Sequence, residues 1–114
     1  MSDTNDFNVA VRLTAEDYAV VAVSGDLDLL AATRLHRPLM DALTHPVTVL
    51  DLAECMFVDS SGLRTVLEAL RRAESTGTAL RVAGVGTSVV RVLELAGLLT
   101  TLSLFPDVET ALKA

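Results

Sequence analysis

Short apolar runs rich in valine alternate along this chain with longer segments whose leucines recur every three or four residues. The first pattern is typical of buried strands, and the second of helices with one buried face. The order is β-β-α-β-α-β-α-β-α, and strands separated by helices run parallel through right-handed crossovers. The pattern therefore predicts an α/β fold, with a mixed five-stranded β-sheet, an N-terminal hairpin and about four helices that cover it.

The first two strands form the predicted hairpin. Strand one is marked by four apolar residues at alternate positions, which predict one buried and one wet face: Phe7, Val9, Val11 and Leu13. An almost unbroken apolar run at 18–23 predicts a second strand that is buried on both faces. The short connection between the two makes them antiparallel.

The remaining elements follow with short turns. They begin with a helix on Leu35, Leu39 and Leu43, a central strand at 47–52, and a helix on Leu63, Val66, Leu67 and Leu70 with a C-cap at Gly77. A strand at 79–83 and a helix on Val89, Val92, Leu93 and Ala96, closed by Gly97, come next. A strand that alternates through 101–104 and a helix at 106–113 that opens on Pro106 complete the order. Leu95 lies away from the stripe of Val89, Leu93 and Ala96 and is predicted to be exposed.

Length and composition favour one small globular domain. The chain has 114 residues, of which 51% are hydrophobic, which is enough apolar material for a core. We expect residues 1–6, which are polar and acidic, to form a flexible N-terminus and residues 7–114 to form the domain. A monomer is the expected state.

Charge and cysteine content restrict the partners and the compartment. The net charge of −6 would repel the phosphates of nucleic acids and anionic membranes, so neither is an expected partner. Cys55 is the single cysteine, and with His36 and His45 it fits no standard metal pattern. The sequence shows neither a signal peptide nor an apolar run of about 20 residues. A reducing cytoplasm is the simplest location.

Two polar segments follow predicted strands, where function gathers in open α/β sheets. One is Gly25-Asp26-Leu27-Asp28 and the other is Asp59-Ser60-Ser61-Gly62. Asp and Ser are preferred helix N-caps, so both segments are also typical of ordinary helix starts. In the second segment, Ser61 is the expected capping residue. The two readings of the second segment are compatible, because a serine at a helix start is partly exposed and a phosphate there would meet free N–H groups.

Three segments, in the same order, resemble the STAS domains of bacterial anti-sigma factor antagonists. The most specific runs from Asp51 to Leu63 and contains the Asp-Ser-Ser-Gly core after an apolar-Phe-apolar stretch. The others are 25–28 and a late helix at 91–98. The resemblance covers essentially the whole chain and implies a STAS fold.

The resemblance also implies a mechanism of partner switching. In that family the serine after the aspartate, here Ser60, is phosphorylated by a partner kinase that is also the anti-sigma factor. The unphosphorylated antagonist binds this anti-sigma factor and frees a sigma factor, while phosphorylation switches binding off and a separate phosphatase resets it. The implied partner-binding residues are Asp26, Asp28, Asp59, Ser60, Ser61, Gly62 and Leu95. The resemblance implies neither catalysis nor a cofactor.

Other readings remain open. An enzyme lacks support because the sequence has no Gly-x-Ser-x-Gly elbow of a serine hydrolase, no Walker loop and no dinucleotide fingerprint. A nucleotide or anion sensor would use the loop before the third helix, with Gly86, Thr87 and Ser88 around a phosphate, although a turn with an N-cap explains the same residues. A stressosome-like scaffold is a third reading. Cys55 is expected to pack in the interior, where its thiol would be inert.

Overall fold

The computed structural model describes residues 7–114 and contains nine elements in the predicted order. The strands are β1 (Asn8–Leu13), β2 (Ala19–Ser24), β3 (Val47–Glu54), β4 (Ala79–Ala83) and β5 (Leu104–Phe105); the helices are α1 (Leu29–Ala42), α2 (Ser60–Thr76), α3 (Thr87–Leu95) and α4 (Val108–Lys113). The predicted flexible N-terminus, residues 1–6, lies outside the described residues.

The five strands form one mixed sheet in the order β1-β2-β3-β4-β5. The hairpin β1–β2 is antiparallel, with Asn8 opposite Ser24 and Leu13 opposite Ala19. The other pairs are parallel, so β2, β3 and β4 all point their carboxyl ends at the same edge. The loops that enter α1, α2 and α3 leave from that edge, where the predicted functional segments lie.

The sheet is covered on both faces, as the alternation of helices and strands predicts. The larger core joins one face of β2, β3 and β4 to the buried sides of α1, α2 and α3, and includes Val21, Leu50 and Val82. The smaller core joins the opposite face to α4, and includes Val49 and Ala111. Successive residues of a central strand point to opposite faces of the sheet, and each face is covered by one of the two cores. Because both faces are buried, the central strands are nearly continuous apolar runs.

The predicted buried face of β1 is only partly buried. Phe7 and Val9 pack against the larger core, and the Arg34 guanidinium lies 5.6 Å from the centre of the Phe7 ring. Val11 and Leu13, in contrast, are 49% and 55% exposed. Alternation predicts the face of the sheet on which a side chain lies, but it does not predict whether another element covers that face.

The C-terminal third departs most from the predicted boundaries. The helix α3 ends at Leu95, and Ala96, predicted to be buried, is exposed. The strand predicted through 101–104 is reduced to the two residues of β5, although Leu102 is buried in the preceding turn. The helix α4 begins after Asp107, whose side chain accepts a hydrogen bond from the Thr110 N–H, so Pro106 precedes the helix instead of opening it.

Candidate functional site

The two predicted polar segments lie side by side at the carboxyl edge of the sheet. Leu27 and Val58 form an isolated parallel bridge between them. The Leu27 N–H donates to the Phe57 carbonyl oxygen at 2.8 Å, and the Asp59 N–H donates to the Leu27 carbonyl oxygen at 3.2 Å. These bonds extend the β2–β3 pairing beyond the regular strands and fix where α1 and α2 begin.

Gly62 permits this close approach. A Cβ at residue 62 would lie 2.6 Å from the Leu27 carbonyl oxygen, 2.8 Å from Leu27 Cγ and 3.0 Å from Val58 Cγ1. The first of these atoms belongs to a backbone that is held by hydrogen bonds on both sides, so it cannot move aside cheaply. The glycine of the Asp-Ser-Ser-Gly core therefore has a packing role.

Asp59 is the N-cap of α2. Its carboxylate oxygen Oδ1 accepts hydrogen bonds from the Ser61 N–H at 2.8 Å and the Gly62 N–H at 3.0 Å. The interpretation of Ser61 as a cap is therefore wrong, because an aspartate two residues earlier already satisfies the donors of the first turn. Capping by Asp59 leaves Ser60 as the first helical residue, and its side chain is exposed as predicted.

A groove lies on each side of the first turns of α2. One, of about 440 Å³, runs along α2 and the end of α3 and is lined by Ser60, Leu63, Arg64, Leu67, Arg71, Ala96 and Leu98. The other, of about 350 Å³, separates α2 from α1 and is lined by Leu29, Ala32, Thr33, His36, Ser61, Arg64 and Thr65. We call them the Ser60 groove and the Ser61 groove. Both serines thus border open surface.

Large apolar side chains are exposed at the same edge of the sheet. Leu29 and Leu30 open α1, and they are 66% and 75% exposed. Met56 and Phe57, in the loop before α2, are 71% and 48% exposed. Neighbouring exposed apolar groups of this size mark an interaction surface more often than isolated ones do.

The first polar segment is held by its own aspartates. Asp28 is the N-cap of α1, and its carboxylate accepts the Ala31 N–H at 3.0 Å. Asp26 is half-buried in the turn ahead of it, after Gly25, which adopts a positive φ of 95°. The cap of Asp28 therefore helps to fix the loop against which the Ser60 segment is aligned.

Cys55 lies in the interior below this site, as predicted. It is 2% exposed, and its Sγ donates a hydrogen bond to the Phe57 carbonyl oxygen at 3.3 Å. Burial raises the pKa of the Cys55 thiol, and the nearby charge of Asp26 acts in the same direction. The thiol is thus protonated and enclosed, which opposes the reactivity that a redox sensor needs.

The other predicted contact residues do not line the Ser60 groove. Leu95 is 80% exposed, as predicted, but it is Ala96 next to it that lines the Ser60 groove. Gly86 is the N-cap of α3 without a side-chain cap, and it lines a separate cavity of about 210 Å³ together with Thr87, Ser88, Val89, Cys55 and Met56. Sequence reasoning missed Arg64, whose place in both grooves follows from the packing of α2 beside α1 on one side and beside the turn after α3 on the other.

Both histidines contact carboxylates. His36 lines the Ser61 groove, but its Nε2 lies 3.4 Å from a Glu68 carboxylate oxygen. His45 Nδ1 lies 3.2 Å from Asp17 Oδ1. Within residues 7–114, no three His, Cys, Asp or Glu side chains are grouped as a metal site would require. In the same part of the chain, no helix is long and apolar enough to cross a membrane.

Comparison with known proteins points to one family. A sequence model described as the STAS domain matches residues 9–111. An anti-sigma factor antagonist from Mycobacterium paratuberculosis has a similar structure, with a TM-score of 0.87 and 26% sequence identity over 99% of this chain and 97% of the other.

Two further solved structures share the fold. The protein RsbS of Moorella thermoacetica, in a form with glutamate in place of a serine, matches at a TM-score of 0.80 and 24% identity over 93% of this chain and 92% of its own. The Bacillus cell fate determinant SpoIIAA, in its phosphorylated form, matches at a TM-score of 0.73 and 18% identity over 93% and 97%.

Proposed function

This chain belongs to the STAS domain family, and we propose that it is an anti-sigma factor antagonist switched at Ser60. In the unphosphorylated state it binds an anti-sigma factor that is also a serine kinase, and so frees a sigma factor. Phosphorylation of Ser60 ends the binding, and a phosphatase restores it. The protein acts in the cytoplasm as a monomeric binding module and catalyses no reaction.

One observation carries the proposal: Ser60 is exposed at the start of α2, although both residues around it are engaged. Asp59 caps the helix and Ser61 supplies an N–H to that cap, whereas Ser60 is exposed and lines a groove. The exposed leucines of α1 and the Met56–Phe57 pair supply apolar contact area at the same edge. A partner that covers this surface would bury the Ser60 hydroxyl. The name of the Mycobacterium structure, an anti-sigma factor antagonist, supports the same role.

The proposed modification is an ordinary phosphoryl transfer. A bond forms between Ser60 Oγ and the γ-phosphorus of ATP, while the bond from that phosphorus to the bridging oxygen of ADP breaks. The hydroxyl proton goes to a base of the kinase, and ADP leaves. In the reset, a water molecule attacks the phosphorus and the bond from phosphorus to Ser60 Oγ breaks. Inorganic phosphate is released, and Ser60 Oγ takes a proton and becomes a hydroxyl again.

The electrostatic change suffices to reverse binding. Phosphorylation adds roughly −1.5 to −2 charges to a protein of net charge −6. A hundredfold loss of affinity requires about 2.7 kcal/mol. One close pair of like charges at intermediate dielectric supplies about 1–4 kcal/mol, and burial of the phosphate under the partner adds a desolvation cost. No refolding is required, so we expect the backbone to change little.

The partner surface that we propose comprises both segments at the sheet edge, with Asp26, Asp28, Asp59, Ser60, Ser61, Gly62 and Leu95. The structure assigns capping to Asp28 and Asp59 and close packing to Gly62. These three therefore shape the surface, whereas Ser60 and the exposed apolar groups contact the partner. Binding of nucleotide at Gly86, Thr87 and Ser88 stays a prediction.

Affinity capture tests the proposal. Wild-type, Ser60→Ala and Ser60→Glu proteins are used as baits with lysate of the source organism, and Ser75→Ala, at the other end of α2, serves as the matched control. We expect an anti-sigma factor with a kinase domain on the Ser60→Ala and Ser75→Ala baits, and its loss from Ser60→Glu. Identical retention on all four baits would show that Ser60 does not control binding.

A further inference from the structure

Arg64 occupies an unusual place on an acidic protein. It is exposed on α2 and lines both the Ser60 groove and the Ser61 groove. The ion pairs of residues 7–114 join His36 to Glu68, His45 to Asp17 and Lys113 to Glu109. Arg64 takes part in none of them, so within the described chain its guanidinium has no carboxylate partner.

The helix directs Arg64 towards Ser60. The two residues are four apart in α2, so they lie on one face and their Cβ atoms are about 5–6 Å apart. Cα–Cβ bonds in a helix tilt towards its N-terminus, and long side chains extend over the preceding turn. In the rotamers that helices favour, the guanidinium of Arg64 is therefore able to extend over the turn that begins at Ser60.

We propose that Arg64 is the internal receptor for a phosphate on Ser60, an inference that rests on the proposed function. The planar fork of arginine donates two parallel hydrogen bonds to phosphate oxygens. Between Ser60 and Arg64 on the same groove wall lies Leu63, and Leu67 follows one turn later. The paired phosphate and guanidinium close the mouth of this apolar groove, so phosphorylation both adds an anion and covers a surface that the partner needs.

A phosphorus NMR titration tests the pairing without any partner or kinase. Phosphoserine is incorporated at position 60 during translation, and the second pKa of its phosphate is measured in the wild-type background and in Arg64→Gln. A nearby cation favours the phosphate dianion, so we expect the phosphate pKa to be higher in Arg64→Gln than in the wild-type background. The expected difference is about 0.3 units, which is the free energy of an exposed i,i+4 ion pair expressed as a pKa shift. Screening by 1 M NaCl should shrink the difference.

Two variants control for charge and geometry. Arg71 lines the same groove three turns from Ser60, so Arg71→Gln removes the same charge and should leave the phosphate pKa unchanged. Arg64→Lys keeps the charge but loses the fork, and its phosphate pKa should fall between those of wild type and Arg64→Gln. Equal phosphate titrations in wild type and Arg64→Gln would overturn the proposal, as would equal effects of Arg64→Gln and Arg71→Gln.

Partner binding separates this inference from the function on which it rests. If phosphoserine at position 60 weakens binding of the anti-sigma factor but the titration does not depend on Arg64, the switch operates without this receptor. If the titration depends on Arg64 but phosphoserine leaves binding unchanged, the pairing exists and the proposed function fails.

Discussion

Replacement of Asp59 with alanine removes the N-cap of α2 at the centre of the candidate site. Two backbone N–H groups, of Ser61 and Gly62, lose the carboxylate oxygen that accepts them at 2.8 and 3.0 Å. Loss of an N-cap costs about 0.5–2 kcal/mol. Asp59 accepts two hydrogen bonds, and its charge also complements the helix dipole. We therefore expect the free energy of unfolding to fall by about 1.5 kcal/mol, in the upper half of this range.

Urea unfolding followed by circular dichroism measures this cost. For a chain of this size, 1.5 kcal/mol corresponds to a midpoint of thermal unfolding lower by about 6 °C. The slope of free energy against urea should not change, because the variant exposes the same surface on unfolding. A changed slope would mean that two-state comparison does not apply.

Asp59→Asn is the matched control. Its amide oxygen still accepts the N–H bonds, but the charge is absent, so we expect a loss of only about 0.5 kcal/mol. An Asp59→Ala protein as stable as wild type would refute the capping role. Equal losses in the two variants would show that charge, and not the hydrogen bonds, makes the contribution.

Three further predictions concern neighbouring residues. Gly62→Ala should destabilise the fold by about 1–3 kcal/mol, because its Cβ meets the Leu27 carbonyl oxygen, and unchanged urea unfolding would contradict this. Cys55 should react with thiol reagents only on unfolding. Its pKa is raised in the folded state, so above the ordinary thiol pKa of about 8.5 the unfolded state ionises first, and wild type should lose more stability than Cys55→Ala as the pH rises. Equal dependence of unfolding free energy on alkaline pH in the two proteins would refute this. Leu95→Glu should weaken binding of the anti-sigma factor without changing stability, and unaltered binding in calorimetry would remove Leu95 from the surface.

Sequence patterns predict most of this fold because local and global preferences agree in the central elements. The leucines of α1 recur at the helical period and are buried in the core that α1 forms with β2, a strand whose first five residues are all apolar. The glycine after α2 has a positive φ of 76°, as a helix C-cap commonly requires. Such signals depend on residues close in sequence, so no tertiary knowledge is needed.

The sequence-based predictions are wrong where contacts between distant segments determine the local structure. Ser61 and Asp59 are both good caps, and only the backbone position set by the Leu27 carbonyl selects Asp59. Ala96 has the spacing of a core residue, but α3 ends one residue earlier and leaves it at the surface. The spacing of Arg64 from Ser60 is visible within α2, but its place in two grooves depends on the elements that pack on either side of that helix.

The most direct test of the central claim combines phosphate mapping with calorimetry. The anti-sigma factor retained by Ser60→Ala is incubated with this protein and ATP, the modified residue is mapped by mass spectrometry, and the affinities of both forms are measured. The account predicts phosphate on Ser60 and binding at least about a hundredfold weaker after modification, a loss of about 2.7 kcal/mol. Phosphate on Ser61, or equal affinity of the two forms, would contradict it.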